Sequence, residues 1–286
     1  MPRNITFKGN PSSLVGRIIK INSSAPDFKA SAQDLKEITL SNFKEKIKII
    51  TSFPSLDTPV CDLQVKEFNK RATNLSRDVV IIGISKDLPF AQKRFCETFE
   101  IKNITVVSDY KTSSFGINYG LLIKELNILA RCVIIIDKSD IIRYLEIVPE
   151  LTHAPNYDEA IKKLEEVIKN PKLTLKQELA NKCVPCEGST LPLPKETIEK
   201  LLRELGNWQL IEGKKISKEF KFKDFIDAKY FLDLISIISE EQGHHPIMTL
   251  NYNKLKITLT THAAGGLTEN DFIMARIIDE VGGGNV

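Results

Sequence analysis

Thr58-Pro59-Val60-Cys61 opens an amphipathic stretch within FPSLDTPVCDLQVKEF, residues 53–68. Thr58 is a good helix N-cap and Pro59 a good first helical residue, so Cys61 falls in a first helical turn. Unpaired N–H groups there favour an anion, and the thiolate is the nucleophilic form of cysteine. The plain alternative is a small buried hydrophobe. A second cluster lies far along the chain. Of four histidines, His244, His245 and His262 fall within nineteen residues, while His153 stands apart as a loop residue. Imidazoles titrate near neutrality and suit general acid–base work. Zinc also takes three histidines. Against it, adjacent residues on a helix end point about 100° apart, and no fourth ligand is evident. Cys183 and Cys186 form a C-x2-C pair, a pattern used in redox sites and in half of a zinc site. The chain holds no second pair, which excludes a four-cysteine zinc site within one subunit; a structural or incidental pair is the reading preferred here.

The elements that must position these residues fall into two sets. KIKIITSF (46–53), DVVIIGIS (78–85) and RCVIIIDK (131–138) are short, apolar and β-branched. Such near-continuous runs predict buried strands of a parallel sheet covered on both faces. Between the first two, Cys61, Val65, Phe68 and Ala72 mark one stripe of a helix, giving a strand–helix–strand unit and an α/β domain. A second helix is predicted over LPFAQKRFC. A third runs over NYDEAIKKLEEVIK, with Asn156 as N-cap and Pro171 as its stop. Cys61 then sits beyond the carboxyl end of a strand, where such sheets place their sites. Cys132, inside an apolar strand, reads as core.

Residues 170–184 are polar and interrupted by proline, and are expected to link a domain over 1–169 to another over 185–286. The second set reads as helix (KETIEKLLREL), helix (DFIDAKYFLDLISIISEEQ), hairpin (IMTLNYNKLKITLTTH, turning near residues 253–254) and helix (LTENDFIMARIIDEV). Thr268 and Asp271 approximate a capping box. This order predicts an α+β domain, with a loose GGGNV tail.

Composition narrows the function classes. A net charge of +3 over 286 residues gives no argument for nucleic acid or an anionic membrane. No apolar run approaches the ~18 residues of a spanning helix. MPRNITFKGNPSSLVGRIIK lacks a signal-peptide core, which favours the cytoplasm. Five cysteines make no disulfide scaffold.

Pro54, Thr58 and Cys61 spell P-x3-T-x2-C, the active-site signature of peroxiredoxins. With FKGNP, FPSLDTPVC, DLPFAQKRFC and ARCVIIID in order and spacing, residues 5–169 resemble the bacterial thiol peroxidases. The resemblance implies a thioredoxin-like fold and reduction of hydroperoxides. Cys61 would be the peroxidatic cysteine, with Thr58 and Arg131 as donors to sulfur and peroxide and Pro54 as a shield. Cys96 would be the resolving cysteine. It would form a Cys61–Cys96 disulfide that thioredoxin reduces, with no bound cofactor and no metal. A thioredoxin-like oxidoreductase is the competing reading, but it would want a cysteine where Gln64 stands.

Glu240, His244, His245, Pro246, Tyr252, His262 and Asp271 likewise fall on the pattern of the pterin-4a-carbinolamine dehydratases, a resemblance spanning about 185–282. It implies a four-stranded antiparallel sheet with helices on one face, and homo-oligomers. Its reaction dehydrates 4a-hydroxytetrahydropterin to quinonoid dihydropterin. His244 and His262 would be the acid–base pair, His245 would bind the pterin, and Asp271 would orient a histidine. The alternative is a catalytically silent pterin-binding or dimerising module.

Overall fold

Residues 4–73, 75–169, 183 and 191–282 are described in a computed structural model of the chain. It divides into two compact units, Met1–Lys176 and Gln177–Val286. The expected linker at 170–184 lies outside the described residues apart from Cys183. So do Cys186, Pro171 and the last four residues of the GGGNV tail.

The first unit runs β1 (Asn4–Phe7), β2 (Asn10–Val15), β3 (Lys29–Ser31), β4 (Glu37–Thr39), β5 (Ile47–Ser52), α1 (Pro59–Ala72), β6 (Val79–Ser85) and α2 (Pro89–Thr98). It continues with β7 (Thr105–Ser108), α3 (Ser114–Asn118), β8 (Leu122–Ile123), β9 (Ile128–Leu129), β10 (Cys132–Ile136), β11 (Ile142–Ile147) and α4 (Tyr157–Lys169). Its main sheet has the order β11-β10-β5-β6-β7-β3-β4. Strands β5, β6 and β7 are parallel. Strand β10 is not: it runs antiparallel to β5, pairing Cys132 with Ser52. The apolar run in β10 reports burial on both faces, which a central strand has in either direction.

Alternate residues feed two cores, as the period of a strand requires. Ile49, Ile81, Val106 and Val133 join residues of α1, α2 and α4 on one face. Ile50, Ile82, Val107 and Ile134 join Phe115 of α3 and Ile5 and Leu14 of the N-terminal hairpin on the other. Asn156 caps α4 as predicted, its side chain accepting from Glu159 N–H at 3.0 Å.

The second unit runs α5 (Lys195–Arg203), β12 (Gln209–Ile211), β13 (Lys215–Lys221), α6 (Phe225–Gln242), β14 (Ile247–Asn251), β15 (Lys254–Leu259) and α7 (Glu269–Gly282). Its four-stranded sheet is antiparallel throughout, in the order β12-β13-β15-β14. Leu255, Ile257 and Leu259 of β15 are fully buried, as are Ala228 and Ile235 of α6 and Ala275 and Ile278 of α7. Lys254 and Lys256, which alternate with them, are exposed. One face therefore carries the helices. The hairpin turns at Tyr252–Asn253, one residue earlier than the sequence reading, because Leu250 pairs with Leu255 and Asn251 with Lys254. Tyr252 takes the left-handed conformation there (φ 50°).

Candidate active sites

Strand β5 ends at Ser52, and the chain turns through buried Phe53 and Pro54 into α1. The turn is pinned by Asp87. Its carboxylate accepts from Ser55 Oγ at 2.7 Å, Leu56 N–H at 2.8 Å and Ser85 Oγ at 2.8 Å. Thr58 occupies the N-cap and Pro59 the first helical position, as predicted. The Thr58 hydroxyl, however, does not cap the backbone; it donates to Cys61 Sγ at 2.8 Å.

Cys61 is fully buried in the first turn of α1. A second donor, Arg131 Nη2, lies 3.4 Å from its sulfur. Arg131 precedes β10 and is itself 1 % exposed. Burying a guanidinium is costly unless its donors are matched. Here Nη1 donates to Gln64 Oε1, and Nε and Nη2 both donate to the Leu151 carbonyl, at 3.2 and 2.9 Å. Gln64 is fixed in turn by donating to Thr51 Oγ1 at 2.5 Å and to Ser52 O at 3.3 Å. Thus a thiol at a helix N-terminus faces a hydroxyl donor and a locked cation, an arrangement that favours sulfur as an anion. Gln64 and the Leu151 carbonyl were missed by the motif reading. The only signal for Gln64 was its place one helical turn after Cys61.

Cys96, in α2, is 7 % exposed and accepts from Gln33 Nε2 at 3.2 Å. Burial pushes its thiol pKa up, partly offset by the Gln33 bond. Cys61 and Cys96 are free thiols belonging to one buried cluster. Cys132 is wholly buried in β10, and burial holds it well above the usual thiol range, as fits core.

In the second unit, α6 ends at Gly243, whose φ of 63° only glycine adopts freely. His244 and His245 therefore follow the helix rather than ending it, and they diverge. His244 is buried, and its Nε2 lies 2.8 Å from Asp271 Oδ1. His245 is exposed, with Nε2 3.0 Å from Glu240 Oε1, itself exposed. Pro246, half-buried, leads directly into β14.

Asp271 has no exposed surface. Its Oδ2 accepts from Thr261 Oγ1 and from Thr268 N–H, both at 2.8 Å. The Thr268 bond is the carboxylate half of the expected capping box. With Oδ2 occupied, Oδ1 is left for His244, so neutral His244 carries its proton on Nε2 and a lone pair on Nδ1. His262 begins a single 3-10 turn, His262–Ala264, directly after Thr261, and is exposed. Asp271 thus holds His244 by one oxygen and the residue before His262 by the other. Tyr252, which the motif also included, is 66 % exposed at the hairpin turn. His153 is an exposed loop residue. Cys183 is buried, its N–H donating to Gln242 Oε1 at 3.0 Å. Among the described residues, no group of three or more His, Cys, Asp or Glu is arranged to hold a metal ion, and no helix is long and apolar enough to cross a membrane.

Comparison with known proteins follows the same division. The Redoxin family model matches residues 20–161, and the Pterin 4 alpha carbinolamine dehydratase model matches residues 191–281. A thiol peroxidase of Halalkalibacterium halodurans is 45% identical over 158 residues, covering 55% of this chain and 95% of that protein. The crystal structure of a peroxiredoxin-like protein from Aquifex aeolicus superposes with a TM-score of 0.55 at 43% identity, covering 58% of this chain and 98% of that one. A transcriptional coactivator/pterin dehydratase from Brucella melitensis is 36% identical over 32% of this chain and 98% of its own, with a TM-score of 0.31. The assignment of the second unit rests on the family model rather than on that superposition.

Proposed function

The chain belongs to the thiol peroxidase family and carries a C-terminal pterin-4a-carbinolamine dehydratase domain, and from that premise we propose which residues perform each reaction. Both families are enzymes. The observation that carries the first assignment is the pair of donors on a buried sulfur: Thr58 Oγ1 at 2.8 Å and Arg131 Nη2 at 3.4 Å from Cys61. The Cys61 thiolate attacks the distal oxygen of a hydroperoxide, and the O–O bond breaks. The alkoxide or hydroxide leaves and takes a proton, and Cys61 becomes a sulfenic acid. Thr58 and Arg131 stabilise the charge spread over sulfur and the two oxygens, and Pro54 shields the sulfur from solvent. The Cys96 thiol then displaces water from the sulfenic acid to give the Cys61–Cys96 disulfide. A thioredoxin dithiol reduces that bond, becoming a disulfide itself. No bound cofactor takes part. A thioredoxin-fed cycle suits a reducing compartment, the cytoplasm. The test is rapid peroxide consumption by the reduced protein with thioredoxin as donor: Cys61→Ser must abolish it, and retained turnover would sink the assignment.

In the second domain the substrate is a 4a-hydroxytetrahydropterin, which loses a proton from N5 and hydroxide from C4a. The lone pair on His244 Nδ1, set by the Asp271 bond at 2.8 Å, supports His244 as the base. His262 then protonates the leaving oxygen, so water departs and quinonoid dihydropterin remains. His245, hydrogen-bonded to Glu240 at 3.0 Å, binds the pterin, and Pro246 leads from it into β14. A silent pterin-binding module would need no buried carboxylate behind a histidine. Homo-oligomers are part of the proposal. Dehydration by the full chain, lost in His244→Ala with the fold intact, checks this half.

A further inference from the structure

The N-terminal hairpin β1–β2 lies on the opposite side of the main sheet from α1, yet it reaches the cysteine site through one loop. Arg131 owes its orientation to the Leu151 carbonyl, which accepts from two of its nitrogens at once. Two bonds to a single oxygen fix the guanidinium plane, and that plane decides whether Nη2 can also reach Cys61 Sγ. Something must in turn fix Leu151. Its N–H donates to Thr6 O at 2.9 Å, and Thr6 N–H donates to Pro149 O at 2.7 Å. Between these two bonds sits Glu150. Its Oε2 accepts from Thr6 Oγ1 at 2.6 Å and Gly9 N–H at 3.1 Å. Its Oε1 accepts from Lys8 N–H at 3.0 Å and from Thr152 N–H and Oγ1 at 3.1 and 2.7 Å. The carboxylate thus ties the turn of the hairpin to both neighbours of Leu151.

We propose that Glu150 is a positioning residue for peroxide reduction, holding the Leu151 carbonyl where it aims Arg131 at Cys61. The inference rests on the reading of Cys61 as the attacking sulfur. The hydroxyls of Thr6 and Thr152, with the backbone donors, hold the Glu150 carboxyl well below the usual carboxylate range, so the clamp is closed at neutral pH. Only an acceptor on both oxygens can satisfy this set of donors. The charged group facing the sulfur itself is Arg131; beyond it lies the phenol of Tyr157, a titratable group that burial keeps uncharged. Changing Glu150 replaces neither group and leaves the charge of both as it was; only the aim of Arg131 is at stake.

The decisive variant is Glu150→Gln, which turns one acceptor oxygen into an NH2 group aimed at donors. The readout is the second-order rate constant of the reduced full-length protein with hydrogen peroxide, measured across pH. The rate at neutral pH falls about tenfold, a part of the ~10²-fold that a 1 Å misplacement costs, and the pH–rate profile moves to higher pH because Arg131 no longer favours the thiolate. Thr6→Val, which deletes one donor, moves both in the same direction by less, and it carries the test if Glu150→Gln is insoluble. Asp140→Asn is the control: it strips the carboxylate from buried Lys48 at the other end of β5, lowering thermal stability and leaving rate and profile in place. An unchanged rate and profile in Glu150→Gln, with Arg131→Lys impaired, overturns the inference alone. Unimpaired Arg131→Lys and Cys61→Ser would overturn the site reading beneath it.

Discussion

Replacing Asp271 by asparagine should do more than weaken a hydrogen bond, because the donors around it dictate which way the new amide faces. Thr268 N–H cannot accept, and it meets Oδ2 at 2.8 Å with the Thr261 hydroxyl beside it. The carbonyl of the new amide must take that position. Its NH2 group then points at His244 Nε2, where Oδ1 stood at 2.8 Å. Nε2 can no longer donate, so the imidazole proton moves to Nδ1 and the lone pair is lost from the atom assigned as base. Losing a charge-assisted hydrogen bond to the developing imidazolium costs about 1.5–3 kcal/mol, or about 10- to 150-fold in rate, and the inverted tautomer adds to that. The expected result is a fall in dehydration kcat of about 10²-fold or more, with the fold retained. The assay follows 4a-hydroxytetrahydropterin loss by absorbance, beside nitrogen NMR of the imidazole, which reports the protonated nitrogen directly. A rate within about threefold of the parent (~0.7 kcal/mol), or an imidazole still protonated at Nε2, would refute the reasoning.

Other outcomes follow from the same geometry. Arg131→Lys keeps the charge but not the fork that serves Leu151 O, Gln64 and the sulfur together, so peroxide reduction should drop about 10- to 100-fold in stopped-flow measurements. Gln64→Leu strands Arg131 and Thr51 in the core and should cost about 1–3 kcal/mol in denaturant unfolding, alongside a slower peroxide reaction. Cys96→Ser should still consume one equivalent of peroxide per chain, then stop turning over with thioredoxin; unchanged turnover would refute a resolving role. Because the Glu150 pKa is lower in the folded than in the unfolded chain, its contribution to stability is full above the usual carboxylate range and is lost progressively as pH falls from that range down through the lower folded pKa. Glu150→Gln should therefore flatten the acid limb of the stability profile, read by thermal melts from neutral pH downward.

What the sequence disclosed was mainly local. Thr58-Pro59 announced the start of α1 and Asn156 the start of α4, because caps act within three residues. Strand direction was hidden: β10 is apolar throughout and buried like the parallel strand β5, and burial on two faces says nothing of polarity. Arg131 illustrates a different limit. Alone, an arginine at a strand edge reads as surface; it is buried because Gln64 and Leu151, 67 and 20 residues away in sequence, meet it. The family pattern found it where composition could not. His244 and His245 were expected on a helix end, but Gly243 breaks the helix first and sends the two rings apart. Thr261 stood beside a motif histidine and drew no notice, since its partner carboxylate lies ten residues downstream.

Cys96 lies in the same buried cluster as Cys61, shut away beneath Gln33. If it is to close a disulfide, its sulfur must give up the Gln33 bond and reach Cys61 within that packing, so each cycle includes a local movement at α2. A sulfenic acid waiting for that event is open to a second peroxide, which carries it to the irreversible sulfinic state. Tolerance of oxidant is therefore written into the looseness of one helix. Substitutions that tighten α2, sought for thermal robustness, should leave the protein easier to inactivate by its own substrate.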